Sequence, residues 1–175
     1  SSTVKTVPPS GGQATRICGL TSRSLDWARL LGLAARHGLQ PLLYRGLNTA
    51  CPGAVPSDTL TALRAHYRAN TLRNLRLARE LLRVLEVLED AGIPAIPFKG
   101  PVLAETVYGH LGLRESGDLD LLVRREDALR AEAALGALGY RPHFDLAPAQ
   151  KSALLRSDDE HPLVRHDGAF ALDLQ

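Results

Sequence analysis

Hydrophobic and charged residues alternate along one short stretch of the chain, residues 118–123. This period of two predicts a β-strand, because successive side chains on a strand point to opposite faces. Asp118 and Asp120 would share one face, and the opposite face is formed by Leu119, Leu121 and Val123. Two carboxylates at this spacing can together hold hard cations such as Mg²⁺ or Mn²⁺. The alternative is an exposed edge strand whose aspartates bind nothing.

An apolar run further upstream ends in Phe98-Lys99-Gly100-Pro101, after which apolar residues recur at helical spacing. This order predicts a strand, a glycine turn and the start of a helix. Glycine lets the backbone approach a ligand closely, and the free N–H groups at a helix N-terminus favour a phosphate. Lys99 would lie beside that phosphate. An ordinary strand-to-helix turn with a solvated lysine is the alternative.

The first half of the chain has the spacing of amphipathic helices. One helix is predicted over residues 24–37, with Ser24 as its N-cap. A much longer helix is capped by Ser57 or Asp58 and extends towards Asp90. The predicted buried stripe of this long helix consists of Leu60, Leu63, Tyr67, Leu75, Ala78, Leu82 and Leu85. Two polar residues within the stretch, Asn70 and Asn74, are expected to be its weak points.

The long helix also carries a local basic cluster, formed by Arg64, Arg68, Arg73, Arg76, Arg79 and Arg83. Several of these residues are three or four positions apart and are therefore neighbours on the helix surface. The cluster could guide a nucleoside triphosphate or an RNA backbone, although no aromatic residues are interleaved to stack bases. The alternative is a solvated face that is partly paired with Glu80 and Glu86.

The sequence after residue 123 predicts a second half of the sheet. A helix over residues 126–138 ends at Gly139, and a short strand over residues 140–144 follows. A modest helix over residues 147–156 and an acidic turn over residues 157–160 are predicted next.

The last part of the chain predicts a β-hairpin, because Asp167-Gly168 lies between two extended runs. Its second strand has a core face made of Phe170, Leu172 and Leu174. Asp173 points the other way, on a face that otherwise carries alanines. It could there join Asp118 and Asp120 as a third carboxylate, and the alternative is an exposed strand aspartate.

Composition sets limits on function. The 175 residues are 45% hydrophobic, enough to bury a sizeable core. With 21 basic and 19 acidic residues the net charge is +2, so the overall charge does not indicate nucleic acid or membrane as a partner. Cys18 and Cys51 lack the spacing of a zinc site and indicate reduced thiols in the cytoplasm.

Three regions are expected along the chain. Residues 1–20 begin with a segment rich in Ser, Thr, Pro and Gly, which has neither a signal peptide nor a membrane span and is predicted to be flexible. Residues 21–90 form a helical region, and residues 91–175 form the sheet-containing core.

Taken together, these residues resemble a family of enzymes. Lys99-Gly100, followed by Arg114 and then Asp118 and Asp120, is similar to the motif set of a poorly characterised bacterial nucleotidyltransferase family within the DNA polymerase beta-like superfamily. In this branch Lys-Gly replaces the usual Gly-Ser, and an arginine stands a few residues before Asp-hydrophobic-Asp. The resemblance extends over residues 27–173.

The resemblance implies an α+β fold, with a small mixed sheet as the nucleotidyltransferase core and an N-terminal helical layer. It implies transfer of a nucleoside monophosphate from an NTP, with Asp118, Asp120 and Asp173 holding Mg²⁺ or Mn²⁺ and Asp173 as a candidate base. The nucleotide-binding residues that it implies are Lys99, Gly100, Arg114 and Ser116. The acceptor stays open among a peptide or other natural product, an RNA end, a protein hydroxyl and an aminoglycoside-like molecule.

Two other functions fit the same fold. One is a catalytically inactive module that binds a nucleotide or a partner, and the other is an RNA-directed toxin. The resembled family usually has histidine where this chain has Gln175, and its members continue further, so we expect a C-terminal portion beyond this sequence.

Overall fold

The computed structural model describes residues 11–144 and 161–175, which contain six α-helices and five β-strands. The helices are α1 (Gly11–Thr21), α2 (Trp27–Arg36), α3 (Gln40–Ala50), α4 (Ser57–Asp90), α5 (Gly100–Tyr108) and α6 (Ala128–Leu135). The strands are β1 (Ala95–Pro97), β2 (Leu119–Val123), β3 (Tyr140–Pro142), β4 (His161–Arg165) and β5 (Ala171–Leu174). The predicted α+β class is confirmed. The predicted helix over residues 147–156 and the acidic turn over residues 157–160 lie outside the described residues.

The chain divides into two compact units. The helical unit comprises the described residues up to Leu75 together with Ala104–Glu115. The sheet unit comprises Arg76–Leu103 and the described residues from Ser116 onwards. The division falls inside α4, whereas the sequence places a boundary at residue 90. Helix α4 has 34 residues and is long enough to contribute its first part to the helical unit and its second part to the sheet unit. The sequence prediction assigns the whole helix to one region.

The helical unit has a small core of its own. Leu47, Val55 and Leu63 are buried in it, and Ile17, Trp27, Leu31, Leu43, Tyr44 and Leu60 pack around them. For residues 11–20 the structure has helix α1 instead of the flexible segment that composition predicts, because Ile17 supplies an apolar contact to this core. Helix α2 begins three residues later than predicted, since the Asp26 side chain accepts the backbone N–H of Arg29 at 2.9 Å and acts as the N-cap.

Two buried asparagines of α4 hold the segment that follows α5. The Asn70 amide donates to the backbone carbonyls of Gly112 and Arg114 at 3.0 Å each. The Asn74 amide donates to the Arg114 carbonyl at 2.7 Å and to that of Leu111. Both asparagines are fully buried and α4 is unbroken, so the expectation that they weaken the helix is wrong. Their side chains satisfy carbonyls that would otherwise be buried without a donor.

The sheet has the strand order β1-β2-β5-β4-β3. Strands β2 and β5 are parallel, and the other three neighbouring pairs are antiparallel. One face is apolar and carries Leu119, Leu121, Leu163, Leu172 and Leu174. Against it pack Leu77, Leu81, Val84 and Leu88 of α4 with Ala131 and Leu135 of α6. The hairpin predicted from Asp167-Gly168 is confirmed as β4 and β5, and Gly168 has a φ of +68°.

The buried stripe of α4 differs in part from the prediction. Leu75 and Leu82 were expected to be buried, but they are 50% and 68% exposed. The stripe instead continues from Leu63 through Asn70, Asn74, Leu77, Leu81, Val84 and Leu88. Asn70 and Asn74 occupy buried positions of this stripe. A prediction that counts only apolar residues omits them and therefore places the buried face on the wrong side of the helix in this region.

No described helix combines the length and the apolar character that would let it cross a membrane.

Candidate functional site

Two aspartates lie side by side in the middle of the sheet. Strands β2 and β5 are parallel, and their register pairs Asp120 with Asp173. Paired residues on neighbouring strands share a face, and neighbouring strands are only about 4.8 Å apart. The leucines that flank these aspartates point to the opposite, core-forming face. The fold therefore presents two carboxylates together on one face of the sheet.

Asp118 precedes β2 by one residue and is half-buried, as is Asp173. It lies two positions before Asp120, the spacing at which strand residues share a face. The Asp120 side chain is far more enclosed, with only 5% of its surface exposed. A buried carboxylate is unfavourable unless an opposite charge or hydrogen-bond donors compensate it. Of the three aspartates, Asp120 therefore has the greatest need for a positively charged partner or for hydrogen-bond donors.

Lys99 supplies the compensating charge for Asp120. Its Nζ lies 2.8 Å from Asp120 Oδ1, and 42% of the lysine side chain remains exposed. The ammonium also lies 4.9 Å from the centre of the Phe98 ring, within the range of a cation–π contact. The backbone fixes this approach, because the Phe98 N–H donates to the carbonyl of Asp120 at 3.4 Å. Lys99 is thus the counter-ion of Asp120. The sequence alone does not indicate this pairing.

The glycine turn between β1 and α5 packs directly against the start of β2. Gly100 is buried and has a φ of +51°, a conformation that favours glycine. A Cβ at this position would come within 3.2 Å of the Asp118 carbonyl oxygen. The turn itself therefore requires glycine, for two reasons that do not involve a ligand. Contact between this backbone and a triphosphate remains a prediction.

The two other predicted nucleotide-binding residues have different surroundings. Ser116 is 6% exposed and lies in the segment of the sheet unit that leads to β2. Arg114 is half-buried and belongs to the helical unit, where its backbone carbonyl accepts from Asn70 and Asn74. Five of the predicted site residues lie around β2 and β5 within the sheet unit: Lys99, Gly100, Asp118, Asp120 and Asp173.

The donor set suits a hard cation such as Mg²⁺ or Mn²⁺, since carboxylate oxygens are the ligands that these ions prefer. Within residues 11–144 and 161–175, no three carboxylate, imidazole or thiol side chains are arranged as a ready-made metal site. Mg²⁺ commonly binds one or two protein carboxylates and completes its shell with substrate phosphates and water. The residues present fit a metal that arrives with a nucleotide.

A buried polar network lies on the core face of the sheet, and the sequence predicts only one part of it, the pairing of Glu80 with arginines of α4. Glu80 of α4 is 3% exposed and accepts from Arg165 at 2.9 Å, Arg83 at 3.1 Å and the Tyr140 hydroxyl at 3.3 Å. Burial and the adjacent Glu80 carboxylate raise the pKa of Tyr140. Arg165 also pairs with Asp167 at 2.6 Å, which lowers the pKa of that carboxyl. The spacing of three between Glu80 and Arg83 and the Arg165-x-Asp167 spacing indicate parts of this network, but neither indicates that α4 and β4 are joined by it.

Cys18 and Cys51, both in the helical unit, have hydrogen-bond partners that the sequence does not indicate. The Cys18 thiol donates to the carbonyl of Ala50 at 3.1 Å, and Thr21 Oγ1 lies 3.3 Å from Cys51 Sγ. A hydrogen bond with Cys51, burial and the charge of the Cys51 thiolate all raise the pKa of Cys18. The structure has no disulfide between Cys18 and Cys51.

Comparison with known protein families matches residues 23–175 to a family described as an uncharacterised nucleotidyltransferase. The match covers nearly the whole chain, including both units and every predicted site residue. Comparisons with curated proteins and with solved structures gave no match.

Proposed function

Because the chain belongs to this uncharacterised nucleotidyltransferase family, we propose that it transfers a nucleoside monophosphate from an NTP to an acceptor in a Mg²⁺- or Mn²⁺-dependent reaction. The proposal also assigns the chain to the DNA polymerase beta-like superfamily and to the cytoplasm. One observation carries it: the register that pairs Asp120 with Asp173, beside a glycine turn that opens a helix.

The metal would be held by Asp120 and Asp173, with Asp118 as a further oxygen donor. When bound, a divalent cation neutralises phosphate charge and orients the phosphoryl group for in-line attack. Asp120 is the main ligand in this proposal, because its burial gives it the strongest need for a positive partner.

The proposed chemistry forms one bond and breaks one. The acceptor hydroxyl oxygen bonds to the α-phosphorus, the bond between this phosphorus and the α,β-bridging oxygen breaks, and pyrophosphate leaves with that electron pair. Asp173 takes the proton from the attacking hydroxyl, since it is less enclosed than Asp120 and lies on the same face. The acceptor is a peptide or other natural product, an RNA end, a protein hydroxyl or an aminoglycoside-like molecule.

Lys99 has two partners in this account. In the protein without nucleotide it neutralises Asp120 at 2.8 Å. With a nucleotide bound, Lys99 would donate to the phosphates, and the Asp120 carboxylate would then be available to hold the cation. The exposed 42% of the lysine side chain gives it room for this exchange. The N–H groups at the start of α5 would offer further contacts to the phosphates, and Arg114 and Ser116 complete the proposed nucleotide-binding set.

The test is release of pyrophosphate from each of the four NTPs in the presence of Mg²⁺ and pooled acceptors. The parent should release pyrophosphate with at least one combination, and Asp118→Asn or Asp120→Asn should abolish it. Asp167→Asn is a matched control, because it removes an aspartate of the same unit that lies in the hairpin turn. Equal activity in the parent and Asp120→Asn would refute the assignment.

A catalytically inactive binding module is the second candidate function. The Lys99–Asp120 pair favours it to some extent, since the charge of Asp120 is satisfied without a metal. Gln175 at the position where the resembled family has histidine points the same way. Such a module would bind an NTP with micromolar or better affinity yet release no pyrophosphate with any acceptor, so the same assay combined with calorimetry separates the two functions.

A further inference from the structure

A small cavity in the sheet unit is lined mainly by arginines. Its volume is about 220 Å³, and its walls are Arg76, Arg79, Glu80, Arg83, Arg165 and Phe170. The first four residues come from α4, and the last two flank the turn between β4 and β5. Residues 76, 79 and 83 are three and four positions apart and lie on one side of the helix. The tertiary fold adds a fourth guanidinium, which the helix pattern alone does not provide.

The described lining of the cavity has more positive than negative charge, with four guanidinium groups against the single carboxylate of Glu80. Glu80 is shared between Arg83 and Arg165, and Arg165 has a second partner in Asp167. Arg76 and Arg79 are exposed, and among the residues that the structure describes they have no ion-pair partner. The cavity is therefore suited to an anion.

Two of the arginines that line the cavity are held in place before any ligand arrives. The Glu80 carboxylate, 4% exposed, fixes Arg83 at 3.1 Å and Arg165 at 2.9 Å. The Arg165 guanidinium also lies 4.4 Å from the centre of the Phe170 ring. Side chains that are already ordered lose less conformational freedom when they bind. Pre-ordered guanidinium groups can offer paired N–H donors to phosphate oxygens.

The cavity is separate from the aspartate site. Phe170 packs against the leucine core, and Arg165 is the register partner of the core residue Tyr140. Both belong to the apolar side of the sheet, whereas Asp120 and Asp173 occupy the opposite side. A ligand in the cavity would therefore not be the nucleotide whose phosphates lie at the aspartates.

The size and lining of the cavity define the ligand class. A volume of about 220 Å³ is below the roughly 300–1,000 Å³ of pockets that enclose a drug-sized molecule. Among the described lining residues Phe170 is the one aromatic side chain, and its ring already carries the Arg165 guanidinium, so these residues offer no free aromatic surface to a base. We propose that this cavity is a second phosphate site, which binds a compact polyphosphate group of the diphosphate or triphosphate class. The proposal does not depend on the reaction proposed above.

The test is calorimetric titration of the full chain with inorganic tripolyphosphate and with pyrophosphate, in the absence of divalent cations. The Arg76→Gln/Arg79→Gln variant should bind about tenfold or more weakly, because it removes two guanidinium groups that would donate charge-assisted hydrogen bonds to the phosphate oxygens. Arg68→Gln/Arg73→Gln is the matched control, since it removes the same charge from exposed positions of the same helix and should leave the affinity within about twofold. Because all four substituted arginines are exposed, both variants should keep the parent melting temperature.

One further titration distinguishes this cavity from an RNA-binding surface. A single-stranded RNA 12-mer should bind no more tightly than tripolyphosphate. The proposal is overturned if the parent binds no tripolyphosphate, if both arginine double variants weaken binding equally, or if RNA binds about tenfold more tightly and loses affinity in the Arg76→Gln/Arg79→Gln variant.

Discussion

Replacing Lys99 by methionine tests the ion pair on which the nucleotide-free site depends. Methionine keeps an apolar stem of similar length and removes the ammonium, which is 2.8 Å from Asp120 Oδ1 and 4.9 Å from the centre of the Phe98 ring. The remaining Asp120 carboxylate is 5% exposed and loses its counter-ion. The substitution should therefore lower the stability of the protein in the absence of metal.

The magnitude follows from the burial of the two partners. Breaking a fully buried ion pair costs about 3–5 kcal/mol, whereas an exposed pair is worth about 0–1 kcal/mol. Because Asp120 is enclosed but Lys99 is 42% exposed, we expect about 1–3 kcal/mol for Lys99→Met. For a chain of this length that corresponds to a fall in melting temperature of about 2–10 °C.

The assay is thermal denaturation of four proteins: the parent, Lys99→Met, Asp120→Asn and the double variant. Lys99→Met should cost stability in the parent background and almost none in the Asp120→Asn background, since the neutral amide needs no counter-ion. Arg124→Met is a matched control, because Arg124 is 69% exposed and lies 4.0 Å from Glu126, which is 78% exposed. Saturating Mg²⁺ should restore more stability to Lys99→Met than to the parent, by mass action on a freed carboxylate. An equal loss in both backgrounds would refute the reasoning.

Three further predictions concern the framework of the chain. Asn74→Ala should cost about 2–4 kcal/mol in urea denaturation because it removes the donor to two carbonyls, whereas Leu75→Ala, at a position 50% exposed, should cost less than about 0.5 kcal/mol. Because the pKa of Tyr140 is raised, the folded state keeps a proton that the unfolded state loses above about pH 10. The stability of the protein should therefore fall as the pH rises beyond that value, and Tyr140→Phe should lessen this fall. Iodoacetamide at pH 8 should alkylate Cys18 more slowly in the parent than in Cys51→Ala, as peptide mass spectrometry would show, because the hydrogen bond between the thiols raises the Cys18 pKa. Equal losses at the two α4 positions, parallel alkaline curves, or equal alkylation rates would each contradict the corresponding prediction.

Local sequence patterns are sufficient to predict a strand where polar and apolar residues alternate with a period of two. The alternation around Asp120 predicts β2, and the Asp-Gly pair predicts the hairpin whose second strand carries Asp173. The shared face of these two aspartates follows from their parity once β2 and β5 are neighbours. The sequence does not show that the strands are adjacent and parallel, because strand order is set by long-range packing.

The buried surface of α4 illustrates why polarity alone misleads. Asn70 and Asn74 look like weak points because a polar residue inside a helix usually faces solvent. Their amides are buried because carbonyls of residues 111–114 come to them, and those residues lie about 40 positions away in the chain. When Asn70 and Asn74 are left out of the buried stripe, the apolar pattern predicts that Leu75 and Leu82 are buried, although both are exposed.

Charge pairing is equally hard to predict. The Lys99–Asp120 pair spans 21 residues, and the Glu80–Arg165 pair joins a helix to a strand. Neither has a characteristic spacing, so no period in the sequence reveals it. The sequence does mark Gly100 as special, but its φ of +51° and its approach to Asp118 are properties of the folded turn.

The central claim is that Asp120 and Asp173 form one metal and nucleotide site, and binding of Mn²⁺ measures it most directly. Electron paramagnetic resonance would follow the free Mn²⁺ signal during titration of the protein with each NTP present. We predict that the parent binds Mn²⁺ together with at least one NTP, and that Asp120→Asn lowers this affinity by about tenfold or more through loss of a charged ligand. Asp167→Asn should bind like the parent. Binding that is as tight in Asp120→Asn as in the parent, or no binding by the parent with any NTP, would contradict the claim.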